Sequence, residues 1–176
     1  MIWIFVCAFA LLPLLALYTL YRIRQMGRSF APDGAFATVD GVRLHYHFHQ
    51  GRDQACSAPV LVFLHGASGS AYDTRLAFEV VYRGRCPVLF VDRPGLGFSE
   101  RGRDRHVTPA GQAQLIAGLL EHLEIEDAVV VGHSLAGSVT AALGLAAPER
   151  VKGLAFLAPV THVWPGGVNW YYTLAA

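Results

Sequence analysis

The chain has 176 residues, with 14 lysines and arginines against 13 aspartates and glutamates, and a formal net charge of +1. This balance argues against nucleic-acid binding, which needs a clustered excess of positive charge. A hydrophobic fraction of 53% and only three cysteines argue against a disordered chain, a coiled coil and a disulfide scaffold. Every charged residue lies beyond residue 21, so the composition indicates an apolar segment followed by one globular domain.

The apolar segment covers residues 1–21, in which only Pro13 and Thr19 are not apolar. As a helix with a rise of about 1.5 Å per residue, this segment would reach roughly 31 Å, the thickness of a bilayer's hydrocarbon core. It therefore predicts a single-pass transmembrane anchor that makes the membrane a partner of the protein. A cleaved signal peptide is the alternative, but no positive residue precedes the segment and no small-x-small site follows it.

Positive charge lies on one side of this segment only. Arg22, Arg24 and Arg28 follow it and none precedes it, which predicts that the remainder of the chain faces the cytoplasm. Residues 22–35 show no clear period and are interpreted as a juxtamembrane linker. Residues 36–176 form the predicted domain.

Strand and helix patterns alternate along this domain. Asp40 and Gly41 are a turn pair between two alternating runs and predict a β-hairpin over residues 37–49. Apolar runs predict buried strands at 60–64, 87–91, 128–131 and 151–157, and helical patterns separate them at 70–83, 108–123 and 135–147. Such alternation predicts an α/β fold whose mostly parallel sheet carries helices on both faces. Functional residues in sheets of this kind collect at the carboxyl ends of the strands.

The strand at 128–131 runs directly into the sequence GHSLAG at residues 132–137. A strand-to-helix turn this sharp needs small neighbours, which Gly132 and Ala136 supply. The turn raises the Ser134 hydroxyl and leaves the Leu135 N–H at a helix N-terminus, where an oxyanion would form. A serine in an ordinary helical first turn is the alternative. A dinucleotide fingerprint does not fit the glycine order, and no P-loop lysine is present.

The strand at 60–64 ends in the sequence HGASG at residues 65–69. This flexible loop predicts that the Ala67 N–H is a second oxyanion donor, against the alternative of a plain glycine turn. His65 is interpreted as a hydrogen-bonding residue that fixes the loop, and not as a catalytic base.

The strand at 87–91 ends in the sequence DRPGLGFS at residues 92–99. Together with His65, Gly66 and GHSLAG, this sequence resembles the α/β-hydrolase superfamily over about residues 36–160, close to its epoxide hydrolase, dehalogenase and haloperoxidase-like esterase branches. The resemblance implies that Ser134 is the nucleophile and that Leu135 and Ala67 form the oxyanion hole, with no cofactor and no metal. It implies that Asp92 shapes its loop and is not the triad acid.

The nucleophile position also indicates the reaction. True epoxide hydrolases and haloalkane dehalogenases carry aspartate at this turn, so the serine implies acyl transfer on a small ester-type substrate. Ala136 replaces a commoner glycine, a departure that some family members share.

Two groups of polar residues fall outside these motifs. The histidines at 45, 47 and 49 alternate on one face of a strand; they suit either a metal site or a solvated polar face, and we predict the solvated face. The arginines at 101, 103 and 105 are interpreted as solvated charge.

The resemblance also predicts what is missing. In this fold the triad runs in the order serine, acid, histidine. After Ser134 the chain offers only Glu149 and His162, neither at the expected place, so we expect no triad acid and no triad histidine in this chain. One explanation is an N-terminal fragment of a membrane-anchored serine hydrolase, which we favour. The other is a non-catalytic, membrane-anchored scaffold or pseudoenzyme.

Overall fold

A computed structural model describes residues 2–51, 58–82 and 84–162, and the chain divides into two units, Met1–Asp33 and Gly34–Ala176. The final part of the predicted domain, residues 163–176, lies outside the described residues.

The first unit contains one helix, α1 (Ile2–Ser29), with Pro13 inside it. Residues 22–29, interpreted above as linker, continue this helix, because arginine, glutamine and methionine are good helix formers. Within the part of the chain that the structure describes, no helix is long and apolar enough to cross a membrane. The predicted transmembrane anchor at residues 1–21 is therefore not confirmed.

The second unit opens with the predicted hairpin, formed by β1 (Ala35–Val39) and β2 (Val42–His49). Asp40 and Gly41 both have positive φ, 49° and 74°, as a type I′ hairpin turn requires. Strands and helices then alternate as β3 (Val60–Leu64), α2 (Ala71–Tyr82), β4 (Val88–Val91), α3 (Pro109–His122), β5 (Ala128–His133), α4 (Ala136–Ala146) and β6 (Val151–Leu157). A short 3₁₀ helix, Asp104–Val107, precedes α3.

The six described strands form one sheet in the order β1-β2-β4-β3-β5-β6. β1 pairs antiparallel with β2, and β2 antiparallel with β4. The other three pairings, β4 with β3, β3 with β5 and β5 with β6, are parallel. The predicted α/β architecture with a mostly parallel sheet is thus confirmed, and the carboxyl ends of β3, β4 and β5 meet at one edge of the sheet.

Helices cover both faces of this sheet. Side chains of α3 and α4, among them Leu119 and Leu143, join Val62 and Val130 in one fully buried cluster. On the opposite face, Phe63 of β3 belongs to a second cluster against α2. A strand with neighbours on both faces must be apolar on both, which explains the continuous apolar run at residues 60–64. Thr108 accepts a hydrogen bond from the Gly111 N–H at 3.1 Å and caps α3.

We expect Leu119→Ala to lower the free energy of unfolding by about 2–5 kcal/mol, because a fully buried leucine loses its contacts and leaves a cavity. The matched control is Leu145→Ala in α4, whose side chain is 85% exposed and should change stability by less than about 0.5 kcal/mol. Urea unfolding followed by circular dichroism measures both. Equal effects of the two substitutions would contradict this assignment of the core.

Candidate active site

The turn between β5 and α4 holds Ser134 in a left-handed backbone conformation, with φ of 52°. A residue other than glycine adopts this conformation at a cost of the order of 1–3 kcal/mol, so the surrounding structure must impose it. Three hydrogen bonds do so: the Ser134 N–H donates to the Leu157 carbonyl at 2.9 Å, and the Ser134 carbonyl accepts from Gly137 at 2.9 Å and Val160 at 2.8 Å. The serine is thus fixed between the end of β6 and the start of α4.

Two glycines permit this turn by leaving room for its neighbours. A Cβ on Gly132 would collide with the Thr140 hydroxyl of α4, so only glycine lets β5 run this close to the helix. A Cβ on Gly66 would lie 3.1 Å from the Ser134 Cβ, which places the loop after β3 directly against the serine. The structure therefore brings the two predicted motifs together. Ala136, the small residue after the turn, is fully buried at the start of α4.

Ser134 opens into a cavity of about 460 Å³ at the carboxyl edge of the sheet. Ala67 lines the same cavity, and α2 and β6 supply part of the remaining wall. Among the described residues, the lining consists of His65, Gly66, Ala67, Gly69, Asp73, Thr74, Ala77, Phe78, His133, Ser134 and Leu157. A cavity of this size suits a small ligand.

The two predicted oxyanion donors both lie at this site. Leu135 immediately precedes α4, so its N–H is at the positive end of the helix. Ala67 follows Gly66 in the loop that contacts Ser134. Among the described residues, no hydrogen bond engages either the Ala67 N–H or the Leu135 N–H. Both amides are therefore available to an oxygen atom bound beside the serine.

His65 lines the cavity but is fully committed to the loop. Its Nδ1 donates to the Gly66 carbonyl at 2.9 Å, and its Nε2 accepts from the Arg93 N–H at 3.0 Å. Burial lowers the pKa of His65, which keeps the ring neutral as this pair of bonds requires. With both nitrogens occupied, His65 holds the loop and cannot take a proton from Ser134.

Asp92, at the end of β4, joins three parts of the fold. Its carboxylate accepts hydrogen bonds from the Ala71 N–H at the start of α2, from the Phe98 N–H at 3.0 Å and from His45 Nδ1 at 2.7 Å. Burial of the carboxylate favours its neutral form, but these three bonds outweigh that effect and hold the pKa of Asp92 below its ordinary value. Asp92 thus organises its loop and does not line the serine's cavity.

The prediction of a solvated histidine face on β2 is wrong. His45 and His47 are only 1% and 6% exposed, because this face packs against α2 and the loop after β4. His45 bonds to Asp92, and Arg75 of α2 lies 2.7 Å from His47 Nδ1. His49 faces Glu79 at 3.5 Å. Each histidine has a protein partner, and within the described ranges no group of three metal-ligating side chains occurs.

The remaining polar candidates do not line the cavity beside Ser134. Glu149 lines a different cavity, of about 300 Å³, with residues of α3 and the end of α4. The exposed His162 ring pairs with Thr161 at 3.2 Å. Arg105 is exposed, as expected of solvated charge, and forms a surface ion pair with Asp40. The absence of a triad acid and histidine stays a prediction.

Two features of the site were not predicted from the sequence. One is Arg93, whose side chain is buried and bonds to the loop after β3. The other is the wall supplied by α2, where Thr74 and Phe78 face the cavity. Their spacing of four residues places them on one helical face and is a signal that could have indicated this wall.

The lowered pKa values of His65 and Asp92 predict that the protein loses stability in acid. Because the pKa of His65 is lowered by folding, the unfolded chain binds a proton below about pH 6.5 that the folded protein excludes. The pKa of Asp92 is also lowered, so stability falls again as the unfolded carboxylate protonates near pH 4. We expect Asp92→Asn to lower the free energy of unfolding by about 1–3 kcal/mol at pH 7. It should reduce the loss of stability near pH 4 and leave the loss below about pH 6.5 unchanged.

Urea unfolding at pH 7.5, 5.5 and 3.5 measures both steps. The matched control is Asp104→Asn, since Asp104 is an exposed carboxylate in the 3₁₀ helix and should leave the pH profile unchanged. A stability that rises between pH 7.5 and 5.5 would contradict the burial of a neutral His65.

Comparisons of the chain with known proteins identify one family. The family model described as alpha/beta hydrolase fold matches residues 59–175. An uncharacterized hydrolase of Bacillus subtilis, YugF, is 35% identical over 120 residues, which cover 68% of this chain and 42% of that protein.

Solved structures agree. The structure of Cfl2 from Burkholderia cenocepacia has a TM-score of 0.69 and 25% identity, over 80% of this chain and 50% of that one. The epoxide hydrolase CorEH, solved without ligand, has a TM-score of 0.66 and 25% identity, over 78% of this chain and 46% of that one. The chain spans less than half the length of the curated relatives it matches. The predicted resemblance is confirmed, and the chain belongs to the alpha/beta hydrolase family.

Proposed function

We propose that the protein is a serine hydrolase that acts on a small ester-type or related acyl substrate, with Ser134 as the nucleophile. The observation that carries this proposal is the strained backbone of Ser134 beside two amide N–H groups that no hydrogen bond from the described part of the chain engages. A serine in the ordinary first turn of a helix needs no such strain, whereas a nucleophilic serine that must project from the end of a strand does. The epoxide hydrolase similarity supports the fold and not the substrate.

In the proposed reaction, the Ser134 oxygen attacks the acyl carbon and the carbonyl oxygen becomes an oxyanion. The N–H groups of Leu135 and Ala67 donate to this oxyanion, and α4 adds the positive end of its dipole. The serine proton passes to a base, and the leaving alcohol or amine departs with a proton as the acyl-enzyme forms. Water then attacks the ester and releases the acid.

The cavity wall indicates the acyl group. Phe78, Ala77 and Leu157 present apolar surface to the serine, and Asp73 is the carboxylate at the cavity. Asp73 accepts from the Ser70 N–H at 2.7 Å and from its hydroxyl at 3.0 Å, a pattern that begins α2. The Asp73 carboxylate is thus engaged by hydrogen bonds at the start of α2. Because the other side chains named here are apolar, we infer that the acyl part of the substrate is small and apolar.

A non-catalytic scaffold is the second candidate function. It is favoured by the engagement of both His65 nitrogens, which removes one histidine of the cavity as a base. The two functions differ in the reactivity of Ser134.

We expect an alkyl fluorophosphonate to label the purified chain once, on Ser134. The serine oxygen bonds to phosphorus, fluoride leaves and the serine proton passes to solvent. The two N–H groups stabilise the negative charge that develops on the phosphoryl oxygen during this attack, so labelling reports on the serine and on the oxyanion hole together. Mass spectrometry of the peptide that contains residue 134 locates the label.

Ser134→Ala should abolish labelling, and Ser138→Ala is the matched control on the same helix. The Ser138 hydroxyl donates to the Leu135 carbonyl at 2.9 Å and should be dispensable for labelling. A folded wild-type chain that takes up no label would favour the scaffold. Labelling that survives in Ser134→Ala would exclude Ser134 as the nucleophile.

We also propose that residues 1–21 anchor the protein in a membrane with the domain on the cytoplasmic side. The uncharged run and the arginines after it support this proposal. The described leucines of α1 also support it, because Leu12, Leu14 and Leu17 are 62–65% exposed on different sides of the helix. A helix that is apolar all round is typical of a buried or lipid-facing position.

We expect the protein to float with phosphatidylcholine vesicles in a density gradient and to resist extraction by alkaline carbonate. Leu14→Arg should reduce the vesicle-bound fraction, because an arginine near the centre of an apolar helix costs about 2.5–3.5 kcal/mol. Leu145→Arg, at an exposed position in α4, is the control and should not change binding. Complete extraction of the wild-type chain by carbonate would contradict the proposal.

A further inference from the structure

The direction of the Ala67 N–H depends on the carbonyl that precedes it. Gly66 and Ala67 share one planar trans peptide, so the Ala67 N–H points opposite to the Gly66 carbonyl. Three donors hold that carbonyl: His65 Nδ1 at 2.9 Å, Arg93 Nη2 at 2.9 Å and, more weakly, the Gly69 N–H at 3.4 Å. Fixing the Gly66 oxygen on one side of the loop therefore fixes the Ala67 N–H on the other.

The loop after β3 supplies only one long hydrogen bond to this carbonyl, from the Gly69 N–H at 3.4 Å. Ser68 has a positive φ of 55°, and Gly69 follows it, so the backbone after Ala67 has conformational alternatives. His65 is the neighbour of Gly66 in the chain and moves with the loop. Arg93 follows the end of β4, so this donor to the Gly66 carbonyl is held by a strand separate from the loop.

Arg93 is itself held in place. Its side chain is 1% exposed, its Nε donates to the His65 carbonyl at 2.7 Å, and its Nη1 donates to Gln112 Oε1 at 3.0 Å. Burial lowers the pKa of Arg93 to about 10, so the guanidinium stays charged at neutral pH. A buried cation is costly, and none of the ion pairs found among the described residues involves Arg93. Two of its three side-chain bonds go instead to carbonyls of the loop beside Ser134.

We propose that Arg93 is a positioning residue for acyl transfer, whose guanidinium fixes the Gly66–Ala67 peptide so that the Ala67 N–H faces the oxyanion. This inference rests on the proposed function and extends it to a residue outside the cavity lining. The planar fork of the guanidinium spans two neighbouring carbonyls, the His65 and Gly66 oxygens, which a single ammonium cannot do in the same geometry.

The test uses phenylboronic acid, which imitates the oxyanion. The Ser134 oxygen bonds to boron, the serine proton passes to solvent, and the resulting tetrahedral anion places an oxygen in the hole. Affinity is measured by titration, and the ¹⁵N-labelled amide of Ala67 is followed by NMR in the free protein. The melting temperature of each variant reports the fold separately.

Arg93→Met removes the donors and keeps an unbranched apolar side chain. We expect it to weaken boronate binding about tenfold or more, since loss of one oxyanion donor costs about 10² to 10³ in rate in a serine protease. Arg93→Lys should recover part of the affinity. Gln112→Ala is the matched control: it removes the third partner of the same guanidinium but leaves both loop bonds, and it should change affinity less than about twofold.

The Ala67 amide resonance should shift in free Arg93→Met and stay in place in Gln112→Ala. An unchanged resonance together with unchanged boronate affinity in Arg93→Met would overturn the proposal. If Ser134→Ala binds boronate as well as the wild type, the proposed nucleophile fails, and the resonance alone decides the role of Arg93. If Arg93→Met does not fold, the comparison of Arg93→Lys with Gln112→Ala decides it: equal affinities and resonances would overturn the inference.

Discussion

The left-handed backbone at Ser134 is the constraint on which the site depends. A single residue changes the chain from the direction of β5 to that of α4, and its φ of 52° is held by bonds from both sides. The turn requires small residues around it: a Cβ on Gly132 would collide with Thr140, and a Cβ on Gly66 would lie 3.1 Å from the Ser134 Cβ. The strain is local, but its support extends to β6, because the Ser134 N–H donates to Leu157.

A second layer of polar groups supports this turn from the ends of β3 and β4. Asp92 gathers donors from α2, the following loop and β2, whereas Arg93 directs its side chain to the loop after β3. These two neighbouring residues therefore have different roles. The Asp92 carboxylate holds α2, β2 and its own loop together, and the Arg93 guanidinium holds the backbone beside Ser134. Both are only 1% exposed, so water does not compete for their bonds.

The sequence was sufficient for the strands and for the motifs at their ends. The apolar run Val60–Leu64 is bounded by Pro59 and His65, and the GHSLAG turn carries a steric signature that residue types alone reveal. The side chains that connect the motifs could not be predicted in the same way. The contact of Arg93 with Gly66 joins residues 27 apart in the chain, and nothing in either local sequence specifies that the two loops meet.

The histidine row of β2 shows the physical reason for that limit. Alternation of polar and apolar residues indicates which side chains share a face, but not whether that face meets water or another polar surface. His45, His47 and His49 share a face as predicted, and α2 places Arg75 and Glu79 against it. A buried polar face is stable only when each group has a partner, and those partners come from elements distant in sequence. The same condition applies to Arg93: its buried charge is tolerated because the loop carbonyls accept its hydrogen bonds, and the bonds that satisfy the charge also fix the Ala67 amide.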